Sequence, residues 1–283
     1  MLVFVIPLKS RRVSRSWDYV SRLFERCLRS VCNQTSAAFK VIVVCHEKPP
    51  IDFDHPAVAY ESVDFPVPDS NHHPSLNQDK YRKRARGYIL ARRFGPTHVM
   101  QVDADDCVSN RLAEFVERNP QAHGWFFDSG YFYRDGARRI YLKKQGFHHW
   151  CGTSHIFRQD LLKLPKSGNL EDSDLLSLSP IRMKKSLSKM GAPLAPLAFP
   201  GAVYVNTKYR EGNHSRRDLI LDLKQRPGVF LSRAKKQFVQ IFKSEPLTEA
   251  LAEEFGLYPL AASTKREMLD PDAESLSSPN KQQ

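Results

Sequence analysis

The sequence lacks a long apolar run, a paired-cysteine motif and an internal repeat, and each absence excludes a class of protein. Its longest weakly polar stretch, 192–205, is broken by Pro193, Pro196 and Pro200, whereas a membrane-spanning helix needs about 20 apolar residues. The five cysteines form no CxxC pair, which argues against zinc-ribbon and thioredoxin-type sites. We therefore expect a cytoplasmic protein with reduced thiols and no membrane span.

Acidic residues are also scarce. The 283 residues include 31 Asp and Glu against 43 Lys and Arg, a formal net charge of +12. A basic surplus of this size favours anionic partners, such as nucleotides, nucleic acid or an acidic membrane surface, without choosing among them. With 41% hydrophobic residues, the chain can build a large core, and its length fits one large domain with or without an appendage.

Three apolar runs have the pattern of strands that are buried on both faces. They read LVFVI, VIVVC and HVMQV, at 2–6, 41–45 and 98–102, and helical periodicity separates them. This order predicts an open, mostly parallel, Rossmann-like α/β sheet with helices on both faces. Further along, GYFYRDGARRIYLKK predicts an added antiparallel hairpin that turns at Asp135 and Gly136.

The predicted elements divide the chain into three parts. Residues 1–217 form the α/β domain, 218–262 a helical C-terminal appendage, and 263–283 a polar tail that we expect to be disordered. Within the appendage, apolar and basic residues alternate at helical spacing over 231–243. Such a helix either packs on the domain or lies on a membrane surface, so peripheral contact with the inner face of the membrane stays open.

Three acids follow the third apolar run: Asp103, Asp105 and Asp106. Like charges in a low-dielectric setting repel each other unless a positive group lies between them. If the chain stays extended, Asp103 and Asp105 point the same way and can share a Mg²⁺ or Mn²⁺ ion. A calcium loop is excluded because Val108 occupies the position that needs glycine. A strand-end aspartyl phosphatase, or simple capping of the next helix, stays open.

The order of these segments resembles the GT-A fold glycosyltransferases. It runs VFVIPLKS, a helix with CLRSVCNQT, FKVIVVCHE, a basic helix and VMQVDADDCVS, and it is most similar to the inverting, family 2-like enzymes over about residues 1–215. The resemblance implies a GT-A-like fold. It also implies metal-dependent, inverting transfer of one sugar from a nucleotide-diphospho-sugar to a hydroxyl of a glycan or lipid-linked acceptor, with Mn²⁺ or Mg²⁺ as cofactor.

The resemblance further implies roles for individual residues. It assigns nucleotide-sugar binding to Pro7, Lys9, Glu47, Asp103 and Ala104, metal binding to Asp103, Asp105 and His214, and catalysis to Asp172 as base with Glu171 beside it. On the basic helix, Lys80 or Arg84 reaches the diphosphate in our functional interpretation, and a solvated helix face is the alternative. The second strand departs from the family pattern, because it ends in Cys45, His46 and Glu47 rather than in paired acids. The segment from His148 to Trp150 either lines the acceptor side or is ordinary surface.

Two other functions fit the same residues. A Mg²⁺-dependent phosphatase or nucleotidyltransferase would release phosphate or pyrophosphate without a sugar acceptor. A non-catalytic basic protein would bind nucleic acid or membrane through the helix that carries seven basic residues between Lys80 and Arg93. Nucleic acid is not the expected partner, because Tyr81, Tyr88 and Phe94 fit a buried stripe rather than an exposed stacking face.

Overall fold

The computed structural model describes residues 1–69, 73–162, 180–206 and 243–260. The described residues form two β-sheets and the helices that cover them. The strands are β1 (Leu2–Pro7), β2 (Phe39–Cys45), β3 (Val58–Ser62), β4 (His98–Gln101), β5 (Cys107–Val108), β6 (Gly124–Phe126), β7 (Gly130–Arg134), β8 (Arg139–Lys143), β9 (His155–Arg158), β10 (Ala195–Pro196), β11 (Ala202–Asn206) and β12 (Glu245–Pro246). The helices are α1 (Trp17–Cys32), α2 (His73–Ala91), α3 (Leu112–Arg118), α4 (Pro180–Lys189) and α5 (Glu249–Phe255).

The larger sheet has the strand order β10-β6-β9-β4-β1-β2-β3. Strand β1 pairs in parallel with β2 and β4, and β2 pairs in parallel with β3. Strand β9 is antiparallel to both β4 and β6. The predicted mixed α/β fold with a mostly parallel sheet is therefore confirmed.

Both faces of this sheet are covered, because successive side chains of a strand point to opposite faces. Leu2, Phe4 and Ile6 join a core with α1 and α3. Val3 and Val5 join a second core with α2 and α4. Helix α2 approaches β1 closely at Gly87, where an added Cβ would lie 2.3 Å from Val5 Cγ1. This contact sets the C-terminal half of α2 directly against β1.

The smaller sheet has the order β12-β8-β7-β11-β5. Strands β7 and β8 form the predicted antiparallel hairpin, with Gly136 at φ 73° in its turn. The described C-terminal segment, 243–260, returns to this sheet: β12 pairs with β8, and Phe255 and Leu257 complete its core. The predicted boundaries at 217 and 262 lie outside the described residues, so the division into three parts stays a prediction.

Two predictions about local structure are wrong. The six prolines between residues 49 and 74 predict a loop over 48–78, but strand β3 lies within that stretch. It forms the edge of the sheet and pairs with β2 alone among the described strands. Helix α2 was predicted to bury Phe94, but Phe94 is 38% exposed while Lys83 and Arg84 are buried. No helix in the described parts of the chain is long and apolar enough to cross a membrane. The segment 231–242 lies outside those parts.

Candidate functional site

The candidate site lies where the strand order of the larger sheet reverses. From β1 the chain proceeds to β2 on one side and later returns to β4 on the other. In open α/β sheets, ligands bind in the crevice outside the carboxyl ends of the strands at such a point. Leu8 and Lys9 follow β1 there, and the acid loop, which we define as residues 102–106, follows β4.

The acid loop is a tight turn, so the extended backbone that would point Asp103 and Asp105 the same way is not present. The backbone N–H of Asp106 donates to the carbonyl of Asp103 at 3.0 Å. The carboxylates of Asp103 and Asp105 nevertheless influence each other. Burial, and then the negative charge of Asp103, raise the pKa of Asp105 to about 6, although Lys80 and Lys9 oppose the increase. The acid pair thus stores electrostatic repulsion that a bound cation would relieve.

Helix α2 supplies the positive group for this pair. Lys80 Nζ lies 2.7 Å from Asp103 Oδ1, and Gln101 Nε2 donates to the same oxygen at 2.7 Å. Burial disfavours the charge on Lys80, but the attraction of Asp103 outweighs it and the pKa of Lys80 is raised. Arg84 Nη1 donates to Gln101 Oε1 at 3.1 Å. Of the two basic residues that α2 was predicted to bring to the site, Lys80 contacts an acid directly and Arg84 acts through Gln101.

Asp106 has a different position from the other two acids. It is 1% exposed and accepts hydrogen bonds from the N–H of Val205 at 3.1 Å, Thr153 Oγ1 at 2.7 Å and Cys151 Sγ at 3.2 Å. Burial, and then the charges of Asp105 and Asp103, raise its pKa well above the ordinary value. Asp106 therefore ties the acid loop to β11 and to the segment before β9. Because it does not cap α3, whose N-cap residue is Arg111, the capping interpretation fails for Asp106.

The segment before β9 forms the second wall of the acid loop. The N–H of Asp103 donates to Thr153 Oγ1 at 2.8 Å. A Cβ added to Gly152 would lie only 2.5 Å from Asp103 Oδ2, so the carboxylate packs directly on the glycine backbone. Asp103 is thus held between Lys80 on one side and Gly152 on the other.

The predicted donor-binding residues lie along the ends of β1, β2 and β4. Pro7 is the buried last residue of β1, and the charge of Lys9 acts on Asp105. The carboxylate of Glu47 accepts from Ser10 Oγ at 3.2 Å and from the N–H of Arg11, which ties the ends of β1 and β2 together. Ala104 is half-buried against the main core. Their roles in binding stay predictions.

Sequence reasoning missed a buried ion pair beside this edge. Lys83 Nζ lies 2.8 Å from both the carbonyl oxygen of Leu8 and Asp79 Oδ2, and burial lowers the pKa of Lys83. Asp79 Oδ1 is buried without a hydrogen-bond partner among the described residues. The pair anchors α2 to the end of β1. Its only signal in the sequence is the i,i+4 spacing of an acid and a lysine.

Histidines occupy the same edge of the sheet beyond β4. The ring centroids of His148 and His149 are 4.0 Å apart, and those of His148 and His155 are 6.1 Å apart. Burial, and then His149 and Lys184, lower the pKa of His148 to about 4. Burial, and then His148 and Lys184, lower the pKa of His155 to about 3. Both buried rings are therefore neutral at pH 7.

These buried histidines predict a loss of stability in mild acid. Below the unfolded-state pKa of about 6.5, the unfolded chain binds protons that folded His148 and His155 do not, so stability falls as pH decreases toward their folded values. Each contributes a loss of up to about 2 kcal/mol between pH 7 and 5. We expect urea unfolding of His155→Asn to show a smaller loss over that range than wild type.

His123→Asn replaces a half-buried histidine outside the cluster and is the matched control for the same chemical change elsewhere. The raised pKa of Asp106 acts in the opposite direction, but it is common to all three proteins and cancels in the comparison. Parallel stability curves for wild type and His155→Asn would contradict the prediction.

The candidate donor set for a divalent cation would be Asp103 and Asp105. Over the described ranges, no group of three or more His, Cys, Asp or Glu side chains is arranged to hold a metal ion. Two carboxylates nevertheless fit Mg²⁺, which proteins commonly bind through one or two carboxylates together with substrate phosphates. The predicted third ligand His214 and the predicted catalytic pair Asp172 and Glu171 lie outside the described residues.

Comparisons with known proteins add little to this geometry. No protein-family model matches the chain, and no curated protein matches it significantly. Among solved structures, S. aureus TarS 1–349 in complex with UDP matches at 11% identity and a TM-score of 0.39, over 74% of this chain and 61% of that one. The bifunctional IspDF from Campylobacter jejuni matches at 12% identity and a TM-score of 0.37, over 75% and 51%. The chain thus spans less than two thirds of either protein, and likenesses this weak carry no argument for fold or function.

Proposed function

We propose that the chain is a metal-dependent glycosyltransferase of the GT-A, family 2-like kind, which moves one sugar from a nucleotide-diphospho-sugar to an acceptor hydroxyl. One observation carries the proposal. Asp103 and Asp105 follow β4 at the topological switch point and their charges repel each other. Lys80 forms an ion pair with Asp103, and the charge of Lys9 acts on Asp105. Acids and bases in this arrangement fit a diphosphate bound with a divalent cation.

Each described residue then has a task in binding the donor. Asp103 and Asp105 would hold Mn²⁺ or Mg²⁺, which supplies positive charge to the diphosphate leaving group when bound. Lys80, whose side chain is 36% exposed, would supply a second positive charge to the diphosphate oxygens. Lys9 flanks the diphosphate from the end of β1. Gln101 donates to the carboxylate of Asp103, and Arg84 donates to Gln101, so the two residues orient that carboxylate.

The acceptor half of the reaction rests on the resemblance. Asp172, with Glu171 beside it, would take the proton from the acceptor hydroxyl as that oxygen attacks the anomeric carbon. Attack opposite the leaving diphosphate inverts the configuration. The acceptor is a glycan or a lipid-linked glycan, and the protein would work in the cytoplasm, with or without peripheral contact to the membrane.

The structure offers little support for a non-catalytic nucleic-acid protein. Of the seven basic residues on and after α2, Lys83 and Arg84 are buried. Lys80 and Arg86 form ion pairs with Asp103 and Glu61. The helix therefore does not present its basic residues as one continuous cationic face, which an electrostatic footprint for nucleic acid would need.

A thermal-shift experiment tests the proposal. Wild-type protein is heated with UDP, GDP, CDP, ADP, dTDP and their sugar derivatives, each with and without Mn²⁺. A ligand at about 100 times its Kd stabilises the folded state by roughly 2.7 kcal/mol, and we expect a shift that requires both nucleotide and metal. The product released from the nucleotide then distinguishes the proposed glycosyltransferase from the two alternative enzymes. Nucleoside diphosphate indicates sugar transfer, whereas pyrophosphate or inorganic phosphate indicates a nucleotidyltransferase or a phosphatase. No shift with any nucleotide would contradict the proposal.

A further inference from the structure

The segment that follows β1 concentrates positive charge on the surface. We define residues 9–15 as the basic loop. It reads KSRRVSR, with four basic residues among seven, and no acid precedes Asp18 in the chain. The side chains of Arg11, Arg12 and Arg15 are exposed. On a chain with a net charge of +12, such a concentration of charge favours an anionic partner.

Hydrogen bonds hold the basic loop in one conformation. The carboxylate of Glu47 accepts from Ser10 Oγ at 3.2 Å and from the backbone N–H of Arg11. The N–H of Ser14 donates to the carbonyl of Arg11 at 3.0 Å, and Ser14 Oγ donates to the carbonyl of Ser10 at 2.9 Å. These bonds close one turn of 3₁₀ helix over Arg11–Val13. The guanidinium groups take no part in them, so the arginines are presented by a loop that does not depend on their charge.

Arg11 and Arg12 also have no counter-ion in the part of the chain that the structure describes. On the neighbouring α1, by contrast, exposed Arg29 lies 2.7 Å from a carboxylate oxygen of Glu25. Two adjacent arginines without ion pairs keep their charge for an external anion. Because the backbone beneath them is already ordered, binding costs less conformational entropy than it would on a flexible segment.

The basic loop lies at the same edge of the larger sheet as the candidate site, because it starts directly after β1. The charge continues at the end of the neighbouring strand, where Lys48 follows Glu47 and is exposed. Lys48 Nζ lies 4.6 Å from the ring centroid of Tyr60. The cationic groups therefore extend across the ends of two adjacent strands, β1 and β2.

We infer that the basic loop docks the protein on an anionic membrane surface by binding lipid phosphates. Guanidinium groups bind phosphate oxygens through paired N–H donors, and a membrane presents many phosphates in one plane. Half-buried Val13, between Arg12 and Arg15 in the loop, adds an apolar side chain of the kind that enters the headgroup region. A nucleic acid fits less well, because single-strand binding sites stack bases on aromatic residues and the basic loop has none.

This inference goes beyond the proposed glycosyl transfer and does not depend on it. The proposed function leaves peripheral contact with the membrane open, whereas the inference states that the contact occurs and assigns it to the basic loop. Docking through this loop would turn the carboxyl edge of the larger sheet, and the candidate site with it, toward the membrane.

Co-sedimentation with lipid vesicles measures docking without any turnover. Full-length protein is mixed with phosphatidylcholine vesicles that contain about one third phosphatidylglycerol, or with pure phosphatidylcholine vesicles. We expect binding to the anionic vesicles alone, weakening as salt is added. Each Lys or Arg near such a surface contributes about fivefold to the partition coefficient. The double variant Arg11→Gln, Arg12→Gln should therefore lower it roughly 30-fold.

The matched control removes the same charge from the opposite edge of the sheet. Arg92 and Arg93 are adjacent and exposed, and they precede β4, which runs parallel to β1. The double variant Arg92→Gln, Arg93→Gln should lower the partition coefficient by less than about threefold, because its charges lie beyond the screening length from the docked surface. Equal losses in the two double variants would overturn the inference, since net charge alone would then explain binding.

Further arms of the experiment identify the anion. At constant ionic strength, replacing chloride by inorganic phosphate should leave vesicle binding unchanged, and a DNA duplex should bind more weakly than the anionic vesicles. Competition by phosphate would assign the loop to a free anion, and tighter binding of DNA would assign it to nucleic acid. Wild-type vesicle binding in Arg11→Gln, Arg12→Gln would assign docking to another segment, such as 231–243. Each of these results, or no binding of wild type to anionic vesicles, would overturn the inference.

The inference and the proposed function fail in different ways. The nucleotide-and-metal shift depends on Asp103 and Asp105 and should persist in Arg11→Gln, Arg12→Gln. Vesicle binding depends on the basic loop and should persist in Asp105→Asn. Absence of the nucleotide shift with vesicle binding intact rejects the glycosyltransferase. Absence of vesicle binding with the nucleotide shift intact rejects only the docking surface.

Discussion

Replacing Asp105 by Asn should abolish transfer while making the protein more stable. The substitution keeps the size of the side chain and removes one of the two carboxylates proposed to hold the cation. Loss of one preorganised charge of this kind commonly costs about 100-fold or more in rate. The same change removes a buried charge that Asp103 repels, as the raised pKa of Asp105 shows. We therefore expect the metal-dependent nucleotide shift to disappear and the unliganded melting temperature to rise.

A residue that serves binding rather than packing is expected to lower stability, so its substitution should weaken nucleotide binding and raise the melting temperature. Asp106→Asn makes the same chemical change one residue along and is the matched control. Asp106 accepts three hydrogen bonds in the interior through both of its carboxylate oxygens. Its substitution should lower the melting temperature, because the amide nitrogen of Asn replaces one acceptor oxygen and leaves a buried donor without its partner. If Asp105→Asn instead destabilised the protein and left the nucleotide shift intact, the acid loop would be structural and the donor site would lie elsewhere.

The sequence predicts the elements whose signal is local. Strands β1, β2 and β4 are continuous apolar runs, and the β7–β8 hairpin has its Asp-Gly turn, so each follows from a few consecutive residues. Strand β3 escaped prediction because its sequence, VAYES, lies at the edge of the sheet, where half-exposed residues give no clear period. Prolines on both sides of it also favour the interpretation as loop.

Side-chain burial on α2 was the least predictable feature, because its causes are distant in sequence. Apolar periodicity places Phe94 inside and Lys83 outside. Lys83 is nevertheless buried, and it donates a hydrogen bond to the carbonyl of Leu8, while buried Arg84 donates to Gln101. Neither partner can be predicted from the sequence of the helix itself. The role of Asp106 is hard to predict for the same reason, because its partner Val205 is 99 residues away in the sequence. The sequence shows three acids after β4, but it does not separate Asp106, which holds the loop in the interior, from Asp103 and Asp105.

Removing Asp135 should cause a large loss of stability, because it would leave a buried arginine without its counter-ion. Arg26 Nη1 lies 2.8 Å from Asp135 Oδ1, and both side chains are almost fully buried. Two other guanidinium nitrogens, Nε and Nη2, have no hydrogen-bond partner within the described residues, so the arginine depends on this carboxylate. Tyr19 also donates to Asp135, at 3.2 Å. Breaking a buried pair by removing one partner costs about 3–5 kcal/mol.

The same pair connects three parts of the fold. Asp135 is in the turn of the β7–β8 hairpin, Arg26 is on α1, and Nη1 of Arg26 also donates to the carbonyl of Tyr258 at 3.2 Å. We expect chemical unfolding of Asp135→Ala to show a free energy of unfolding that is lower by about 3–5 kcal/mol. Proteolysis should release the C-terminal segment at lower denaturant concentrations than in wild type. The segment that completes the core of the smaller sheet would thus depend on a charge more than 100 residues earlier in the chain.

An exposed ion pair gives the matched control. Arg158 and Asp160 are 2.7 Å apart, with side chains 30% and 64% exposed, and exposed pairs contribute about 0–1 kcal/mol. Asp160→Ala should therefore be nearly neutral. The double variant Arg26→Met, Asp135→Ala removes the uncompensated charge and should recover part of the lost stability. If Asp135→Ala cost no more than Asp160→Ala, burial of Arg26 would not depend on its pairing, and the C-terminal segment would be held by apolar contacts alone.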